Sequence, residues 1–338
     1  MRTGFNPNKD KELLKSDFWH QVIVPVYIPD QQGYFKDSFQ ILIYCLESLF
    51  KTSHSKTYFT IVNNGSGDEV VNYLNQLHKD GKIQEIIHTT SIGKLNAILK
   101  GLTGQQFPLI TITDADVLFL SDWQKSTYNV FEAFPKTGVV SPVPNSKLLR
   151  YYTAPVIWNN LFSKGCNFTK VENSEAMLAF AKSIGNPSLF QKVHLDKNLT
   201  ISDKNVTALI GAGHFVATYK GICFDNLQHR FSNFSLGGDS EQKLLDRPAN
   251  ELGLWRLSTQ QNFAYHMGNT KEDWMIEELD KIIENNSNFN GIELSQKVYS
   301  SIWNKFIIKF FSKFIFQKSI WLFYIKYKGL NKDEAAKY

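Results

Sequence analysis

The sequence contains little cysteine, and its few cysteines are scattered. Cys45, Cys166 and Cys223 lie far apart in a chain of 338 residues, with no Cys-x-x-Cys spacing. This pattern argues against a disulfide framework and against a cysteine zinc site, and it predicts a reducing compartment. The first fifteen residues also lack the apolar stretch of a secretory signal, so we expect a cytoplasmic protein.

Long hydrophobic runs and an excess of charge in the body of the chain are also missing. The longest uncharged stretch near the C-terminus, 319–325, is far shorter than the ~20 residues that a transmembrane helix needs. Residues 1–300 carry 29 basic and 30 acidic side chains, which argues against a nucleic-acid-binding surface. With 43% hydrophobic and 14% aromatic residues, the chain can nevertheless bury a large core.

The first half of the chain alternates strand-like and helix-like segments. Short β-branched runs predict strands, and apolar residues at helical spacing predict the helices between them. The predicted strands are 21–27, 57–62, 83–88 and 108–113, and the predicted helices cover 34–51, a segment with the apolar stripe Val70, Val71, Leu74 and Leu77, and 93–100. This order indicates an α/β fold with a mostly parallel sheet and helices on both faces. Ligands bind such sheets at the carboxyl ends of the strands, here 27–30, 63–66 and 114–116.

The second half is less regular. Strands are predicted at 138–144 and 207–217, with a short segment at 262–267 and helices from about 272 onwards. Residues 145–205 mix aromatic, polar and short helical pieces without a repeat.

Asp114-Ala115-Asp116 follows the fourth predicted strand directly. Alternation along an extended chain places both carboxylates on one side of the backbone. Two hard oxygen ligands at this point suit Mg²⁺ or Mn²⁺, with a nucleotide diphosphate completing the coordination shell. The alternative is a solvated turn or a helix N-cap. This interpretation is weaker because the pair follows a buried strand that is itself preceded by three predicted parallel strands.

Five motifs in order resemble those of family 2 glycosyltransferases of the GT-A fold, over about residues 21–270. They are Val22–Tyr27, Val62–Ser66, Gly93–Ala97, Asp114–Asp116 and Gly237–Glu241. The resemblance implies a UDP- or GDP-sugar donor with Mn²⁺ or Mg²⁺. The donor-binding residues that it implies are Pro25, Val26, Tyr27, Asn63, Lys94, Asn96, Asp114 and Ala115. The implied metal ligands are Asp114, Asp116 and His266.

The same resemblance implies a catalytic base in the acidic motif. We expect Asp239 to deprotonate the acceptor hydroxyl in a direct, inverting displacement. Gly238 stands where the family usually has Glu, so the alignment of this motif with the family motif can shift. In the shifted alignment Glu241 is the base and Asp239 is an acceptor-binding residue. Asp239 is alternatively an N-cap for the following helix. His214 is a further candidate for contact with the sugar.

The C-terminal segment is basic and aromatic. Residues 301–338 carry eight lysines against Asp333 and Glu334, and Lys305, Lys309 and Lys313 recur every four residues. Trp303, Phe306, Ile307, Phe310, Phe311 and Phe314 are predicted on the other side of this helix. The pattern is typical of a helix lying in a bilayer interface. The alternative is a helical hairpin that packs on the body of the protein or on a partner in a homodimer.

These observations divide the chain into an N-terminal lead (1–20), a nucleotide-sugar-binding half (21–120), an acceptor-binding half (121–275) and a helical, membrane-associating segment (276–338). The predicted function is transfer of a sugar to a lipid-linked or surface-glycan acceptor at the inner face of the cell membrane. A sugar nucleotidyltransferase is disfavoured because the region after the first strand has one Gly and no Arg. A second alternative, a non-catalytic binding protein that keeps the fold, stays open because Gly238 stands where an acidic residue is expected.

Overall fold

A computed structural model describes residues 4–12, 16–203, 205–225, 227, 230–238, 241–285, 289–295, 297 and 301–338, without the side chains of residues 302 and 304. Twelve strands are present among these residues. They are β1 (His20–Val26), β2 (Thr57–Asn64), β3 (Glu85–Thr89), β4 (Leu109–Thr113), β5 (Val117–Phe119), β6 (Thr137–Ser141), β7 (Cys166–Lys170), β8 (Lys197–Asp203), β9 (Val206–Ile210), β10 (Val216–Lys220), β11 (Trp255–Thr259) and β12 (Ala264–His266).

Twelve α-helices connect and cover these strands. They are α1 (Ser38–Thr52), α2 (Asp68–Lys79), α3 (Lys94–Gly101), α4 (Trp123–Ala133), α5 (Ala154–Asn159), α6 (Ser174–Ser183), α7 (Lys192–Asp196), α8 (Arg247–Glu251), α9 (Asp273–Lys281), α10 (Ile302–Ile315), α11 (Lys318–Tyr327) and α12 (Lys332–Lys337). Short 3-10 helices lie at Gly33–Phe35, Ser146–Leu148 and Gly221–Cys223, and a π-helix at Gln242–Asp246 leads into α8.

Ten of the strands form one sheet in the order β3-β2-β1-β4-β10-β6-β11-β9-β8-β7. From the pairing directions, β1, β2, β3, β4, β6, β8 and β11 run one way and β7, β9 and β10 run the other way. The predicted α/β fold, with a mostly parallel sheet flanked by helices, is therefore confirmed. The central strands are buried on both faces, since Val22, Ile23 and Val24 are fully inaccessible.

The first half follows the predicted pattern closely, because each helix returns the chain to a strand that is parallel to the last one. The carboxyl ends of β1, β2 and β4 therefore meet at one edge of the sheet, where the chain enters loops. Helix α2 has Asp68 and Glu69 in its first turn and Lys79 in its last, which suits the helix dipole.

The prediction of one strand over 207–217 is wrong. The chain forms β9 and β10 with the loop 211–215 between them, and the two strands lie at different places in the sheet. Gly211 has φ +119°, and a Cβ there would lie 2.9 Å from the carbonyl oxygen of Leu148. Glycine therefore permits the close approach that takes the chain out of β9. The loop carries His214 to the carboxyl end of β4.

A two-stranded antiparallel sheet, β5 with β12, lies beside the main sheet. His266 pairs with Val117 in this sheet, so the short predicted segment at 262–267 returns to the residue that follows Asp116. The pairing brings together two regions that are about 150 residues apart in sequence.

The C-terminal helices pack on the body of the protein, as the alternative interpretation of the tail predicts. Side chains of α10 to α12 and of the segment between α11 and α12 join the buried cluster that contains Val156, Ile157 and Leu199. These side chains are Phe311, Ile315, Trp321, Tyr324, Ile325, Leu330 and Ala335. Lys328, which is 2% exposed, donates to the carbonyl oxygens of Asn160 and Ser163. Among the described helices, none is long and apolar enough to cross a membrane.

Candidate functional site

A cavity of about 460 Å³ opens at the carboxyl ends of β1 and β4. The loop after β1, the start of α3 and the loops at 235–236 and 268–269 complete its walls. Six of the donor-binding residues expected from the sequence line this cavity, namely Pro25, Val26, Tyr27, Lys94, Asp114 and Ala115. The structure thus brings together six side chains that the sequence distributes over 90 residues. We call this space the donor cavity.

Lys94 is the first residue of α3 and lies between two carboxylates. Its Nζ is 2.6 Å from Oδ1 of Asp114 and 3.2 Å from Oε1 of Glu241. Burial lowers the pKa of Lys94, but the two carboxylates outweigh burial and raise it above its usual value. Gly93, with φ +88°, turns the chain into α3, where the backbone N–H of Lys94 donates to the carbonyl oxygen of Ser235. Lys94 therefore carries a fixed positive charge on the floor of the cavity.

Asp116 lies beside the carboxylate of Asp114 at the same strand end. Its Oδ2 is 3.4 Å from Nε2 of His266, whose Nδ1 is hydrogen-bonded to Oγ of Ser183. Burial raises the pKa of Asp116, and the charge of Asp114 adds to that rise, while His266 and Lys94 oppose it. Oδ1 of Asp116 is buried and accepts no hydrogen bond from the residues that the structure describes.

A divalent cation suits this arrangement. A buried carboxylate oxygen that lacks a donor is destabilising unless a cation or a proton compensates it, and carboxylates are the ligands that Mg²⁺ and Mn²⁺ prefer. No group of three or more His, Cys, Asp and Glu side chains is arranged to hold a metal within the described residues. The predicted third ligand, His266, lies at hydrogen-bond range of Asp116, and Lys94 lies where it neutralises Asp114.

A second set of charges continues from Glu241 away from the donor cavity. Oε2 of Glu241 is 3.2 Å from Nε2 of His214, and Nδ1 of His214 is 3.2 Å from Oδ2 of Asp246. Asp246 forms a fully buried ion pair with Arg256 at 2.6 Å. The pKa of Glu241 is lowered to about 2, and the hydrogen bond from His214 contributes most to this shift. Burial lowers the pKa of His214, but hydrogen bonds to Asp246 and Glu241 raise it to about 9.

The sequence model described as glycosyl transferase family 2 matches residues 22–191, half of the chain. This chain belongs to glycosyl transferase family 2. The match runs from β1 to Gln191, the residue before α7, and includes Lys94, Asp114 and Asp116. Glu241, His266 and the C-terminal helices lie beyond it. Among curated proteins, none matches the sequence.

Solved structures give more distant similarities. TarS 1-349 from S. aureus superposes with a TM-score of 0.43 and 13% identity, covering 74% of this chain and 60% of that chain. The mannosyltransferase PcManGT from Pyrobaculum calidifontis gives a TM-score of 0.39 and 15% identity, covering 72% of this chain and 54% of that chain. The family 2 chain described here therefore spans 60% of the length of the first of these structures.

Two donor-binding residues expected from the family resemblance lie outside the lining of the donor cavity. Asn63 is 3% exposed, and its side chain accepts from the backbone N–H of Ser66 and donates to His88. It closes the turn after β2, while the neighbouring Asn64 lines the cavity. The amide of Asn96 bonds to the carbonyl oxygens of Ile92 and Ser232 and accepts from the N–H of Ser232, so it ties α3 to the loop that contains Ser232.

Several lining residues were not predicted. Tyr34 and Phe35 come from the 3-10 helix after β1, and Ser91, Leu236 and Asn269 come from loops. The aromatic pair had a usable signal, because exposed aromatic residues directly after a strand end are candidates for ligand contact. The loop residues carry no signal in a single sequence. Asp239, the predicted base, lies outside the described residues.

Proposed function

We propose that this family 2 chain transfers a sugar from a nucleotide-diphosphate donor to an acceptor hydroxyl. The observation that carries the proposal is the pair Asp114 and Asp116 at the end of β4, with the Nζ of Lys94 2.6 Å from Asp114, in a cavity at the carboxyl edge of the sheet. Cationic and metal-binding groups at this edge suit a diphosphate, whose charge must be stabilised when the glycosyl bond breaks.

The aromatic wall of the donor cavity suits a nucleotide base. Tyr27 and Tyr34 are 43% and 69% exposed, and each packs edge-on against Phe35, with centroid separations of 5.7 and 5.1 Å. A base that stacks on an exposed ring removes apolar surface from water. S. aureus TarS 1-349 has been solved with UDP-GlcNAc, and PcManGT with GDP-Man and Mn²⁺. Both a uridine and a guanosine donor therefore belong in a first test.

Asp114 and Asp116 would hold the divalent metal, with His266 next to Asp116. A bound Mn²⁺ or Mg²⁺ supplies positive charge against the departing diphosphate. Lys94 supplies a second positive charge at the same place, and its contact with Glu241 keeps its Nζ in the cavity. Ala115 leaves room between the two carboxylates, because it is the smallest side chain that still has a Cβ.

The base is assigned to Asp239 rather than to Glu241. A carboxylate whose pKa is about 2 takes up a proton poorly at neutral pH, and Glu241 is already engaged by Lys94 and His214. We therefore give Glu241 the role of positioning Lys94 and His214. Asp239 would accept the proton of the acceptor hydroxyl as that oxygen attacks the anomeric carbon from the side opposite the diphosphate, with inversion.

A test of donor binding uses Asp116→Asn. This substitution keeps the ion pair between Lys94 and Asp114, so the fold is expected to survive. We expect UDP- or GDP-sugars to raise the melting temperature of the wild type in Mn²⁺ but not that of the variant, and sugar transfer or donor hydrolysis to fall at least 100-fold. The control is Asp122→Asn, an exposed acid six residues away at the start of α4.

Unchanged turnover in Asp116→Asn would contradict the proposal. Binding without any hydrolysis or transfer in the wild type would instead favour a non-catalytic binding protein. Formation of a nucleotide-sugar from a nucleoside triphosphate and a sugar phosphate would favour a sugar nucleotidyltransferase.

We further propose that the protein works at an anionic membrane surface, at the inner face of the cell membrane, on a lipid-linked or surface-glycan acceptor. Helix α10 keeps a row of apolar side chains in solvent, and lysines flank that row. The exposed side chains are Trp303 (78%), Phe306 (66%), Ile307 (42%), Phe310 (76%) and Phe314 (49%). Such a row beside lysines suits the boundary between headgroups and acyl chains.

A further inference from the structure

A second cavity, of about 740 Å³, lies between α5, α8 and α10 and is larger than the donor cavity. We call it the basic cavity. Six of its lining residues are cationic, and the acidic residue among them is Glu251. The cationic residues are Lys136, Arg150, Arg247, Lys305, Lys309 and Lys313. Nothing in the mechanism proposed above uses these residues.

The cations of the basic cavity fall into two groups, Lys136, Arg150 and Arg247 with partners, and the three lysines of α10. Lys136 donates to Oδ1 of Asn159 at 3.1 Å. Arg150 donates to the carbonyl oxygen of Phe316 at 2.8 Å and lies over two aromatic rings, and Arg247 pairs with Glu251 at 2.6 Å. Lys305, Lys309 and Lys313 are exposed, and none of them has an ion-pair partner among the residues that the structure describes. Three lysines of one helix, spaced four residues apart, therefore present uncompensated charge to one cavity.

Consecutive residues of the chain connect the basic cavity to the donor cavity. Gln242 lines the basic cavity, whereas the preceding residue, Glu241, contacts Lys94 in the donor cavity. Tyr151 also lines the basic cavity; burial and the nearby charge of Asp246 raise the pKa of Tyr151, and Asp246 in turn bonds His214. One turn of π-helix, Gln242–Asp246, thus separates the two cavities.

The aromatic wall of the basic cavity is also unusual. Tyr152 has φ +55°, in the left-handed region that a tyrosine rarely adopts. Backbone conformations of this kind are enriched at binding and active sites. Tyr151, Tyr152 and Trp158 line the same cavity, and their rings offer apolar faces against which the C–H face of a sugar ring can pack.

We propose that the basic cavity binds a phosphate-bearing acceptor. The lysines of α10 hold the phosphate, and the tyrosine wall holds the adjoining sugar with its free hydroxyl towards Glu241 and the donor cavity. Lysine is suited to phosphate as a compact charge with three donors. This inference rests on the proposed function and adds to it the chemical class of the acceptor.

The phosphate can come from a soluble acceptor or from a lipid headgroup. On α10 the lysine row adjoins the exposed aromatic row, since Lys313 and Phe306 are seven residues apart on a helix of 3.6 residues per turn. A helix that places its aromatic row in the bilayer interface would hold the basic cavity at headgroup level.

The test uses the full chain and two pairs of substitutions. Lys309→Gln/Lys313→Gln removes two charges from the basic cavity, and Lys318→Gln/Lys326→Gln removes two exposed charges of α11 that do not line it. Inorganic pyrophosphate is titrated calorimetrically into each protein in EDTA at low salt. In parallel, each protein is sedimented with vesicles of phosphatidylcholine alone and with 30% phosphatidylglycerol. Melting temperatures establish that all variants are folded.

We expect the cavity pair to weaken pyrophosphate binding at least tenfold and the α11 pair to change it less than twofold. Loss of pyrophosphate binding alone assigns the phosphate to a soluble acceptor. Loss of both pyrophosphate and phosphatidylglycerol binding assigns it to a lipid headgroup. Equal binding of both probes by the wild type and the cavity pair overturns the inference.

The same proteins separate this inference from the proposed function. Stabilisation by nucleotide-sugar in Mn²⁺ is measured for the wild type and for both pairs. If that stabilisation persists while the probes bind equally, the donor site stands and the basic cavity fails as a phosphate site. If it is absent from the wild type while pyrophosphate binding depends on Lys309 and Lys313, the proposed function fails and the anion site stands.

Discussion

His214 joins two groups that would otherwise be separate. On one side it bonds Glu241, which holds Lys94 in the donor cavity, and on the other it bonds Asp246, which is paired with the buried Arg256. A charged imidazole between two carboxylates stabilises both of them. The position of Lys94, and so the charge on the donor cavity floor, depends on a histidine that does not itself contact the cavity.

The protonation of His214 makes stability depend on pH in a defined direction. Its pKa is about 9 in the folded protein, above the usual 6.5, so its contribution is complete below pH 6.5 and is lost as the pH rises through 9. We expect the free energy of unfolding of the wild type to fall by about 1–2 kcal/mol more than that of His214→Gln between pH 6.5 and 9.5. Urea denaturation at several pH values measures this difference.

The control for this prediction is His78→Gln, which changes an exposed histidine at the end of α2. Its pH dependence should follow that of the wild type. Lys220 also has a pKa of about 8, lowered by burial, but it is present in all three proteins and cancels in the comparison. Identical slopes for His214→Gln and the wild type would show that folding does not raise the pKa of His214.

The candidate residues that lie together in the structure are those that both chemistry and position indicate. Asp114, Asp116 and Lys94 could be chosen because carboxylates after a strand and a lysine at the start of a helix meet at one edge of a parallel sheet. Asn63 and Asn64 could not be told apart, since adjacent residues of a strand point to opposite faces and the register decides which one reaches the cavity. The sequence identifies His214 as a candidate for contact with the sugar, but it gives no sign that His214 bonds Asp246.

At the scale of elements, α10 has three faces rather than the two predicted. Ile308, Phe311 and Ile315 pack on the body, the lysines line the basic cavity, and the aromatic residues led by Phe310 are exposed. The sequence places Phe310 and Phe311 together on the side opposite the lysines, whereas the structure buries Phe311 and leaves Phe310 exposed. Phe311 lies about 100° from Phe310 around the helix, so it contacts α5 while its neighbour faces solvent.

This difference between neighbouring phenylalanines gives a matched pair of variants. Phe311 is 7% exposed, and Phe311→Ala should destabilise the protein by about 3–5 kcal/mol, because it removes a buried ring and leaves a cavity. Phe310 is 76% exposed, and Phe310→Ala should change stability by less than about 0.5 kcal/mol. Denaturant unfolding of the two variants measures both effects.

Membrane binding should depend on these two residues in the opposite order. Phe310→Ala is expected to weaken sedimentation with vesicles that contain phosphatidylglycerol, because its ring is available to the bilayer interface. A Phe310→Ala variant that binds vesicles as tightly as the wild type would contradict the membrane proposal, and its stability would still test the packing of α10.

At the scale of the whole molecule, the C-terminal helices are part of the fold. Their side chains share a buried cluster with β7, β8 and α5, and Lys328 satisfies two carbonyl oxygens of the loop after α5. The sequence predicts a separate helical segment beyond residue 275. The packing joins the C-terminal helices of that segment to α5, β7 and β8.

Truncation at residue 300 tests this packing. We expect the shortened chain to be insoluble or to melt at least 10 °C lower, because Leu199, Ile201 and their neighbours lose their cover and remain exposed. Circular dichroism and size-exclusion chromatography report the outcome. Deletion of residues 1–12, whose described part is exposed and forms neither helix nor strand, is the control.

A truncated protein that stays folded and keeps the melting temperature of the full chain would show that the C-terminal helices only rest on the surface. Nucleotide-sugar binding by that protein would then separate the donor site from the tail completely.

The α/β architecture of the first half, the family, and the carboxylates at the end of β4 could all be predicted from the amino-acid sequence. These depend on local signals, namely apolar periodicity, strand-to-loop transitions and motif spacing, which are properties of short segments. The division between β9 and β10, the buried face of α10, and the cavity shared by Tyr151, Gln242 and Lys309 emerge from the folded chain. Such contacts join residues 60 to 160 positions apart, and their formation depends on the packing of the whole chain, which no single segment encodes.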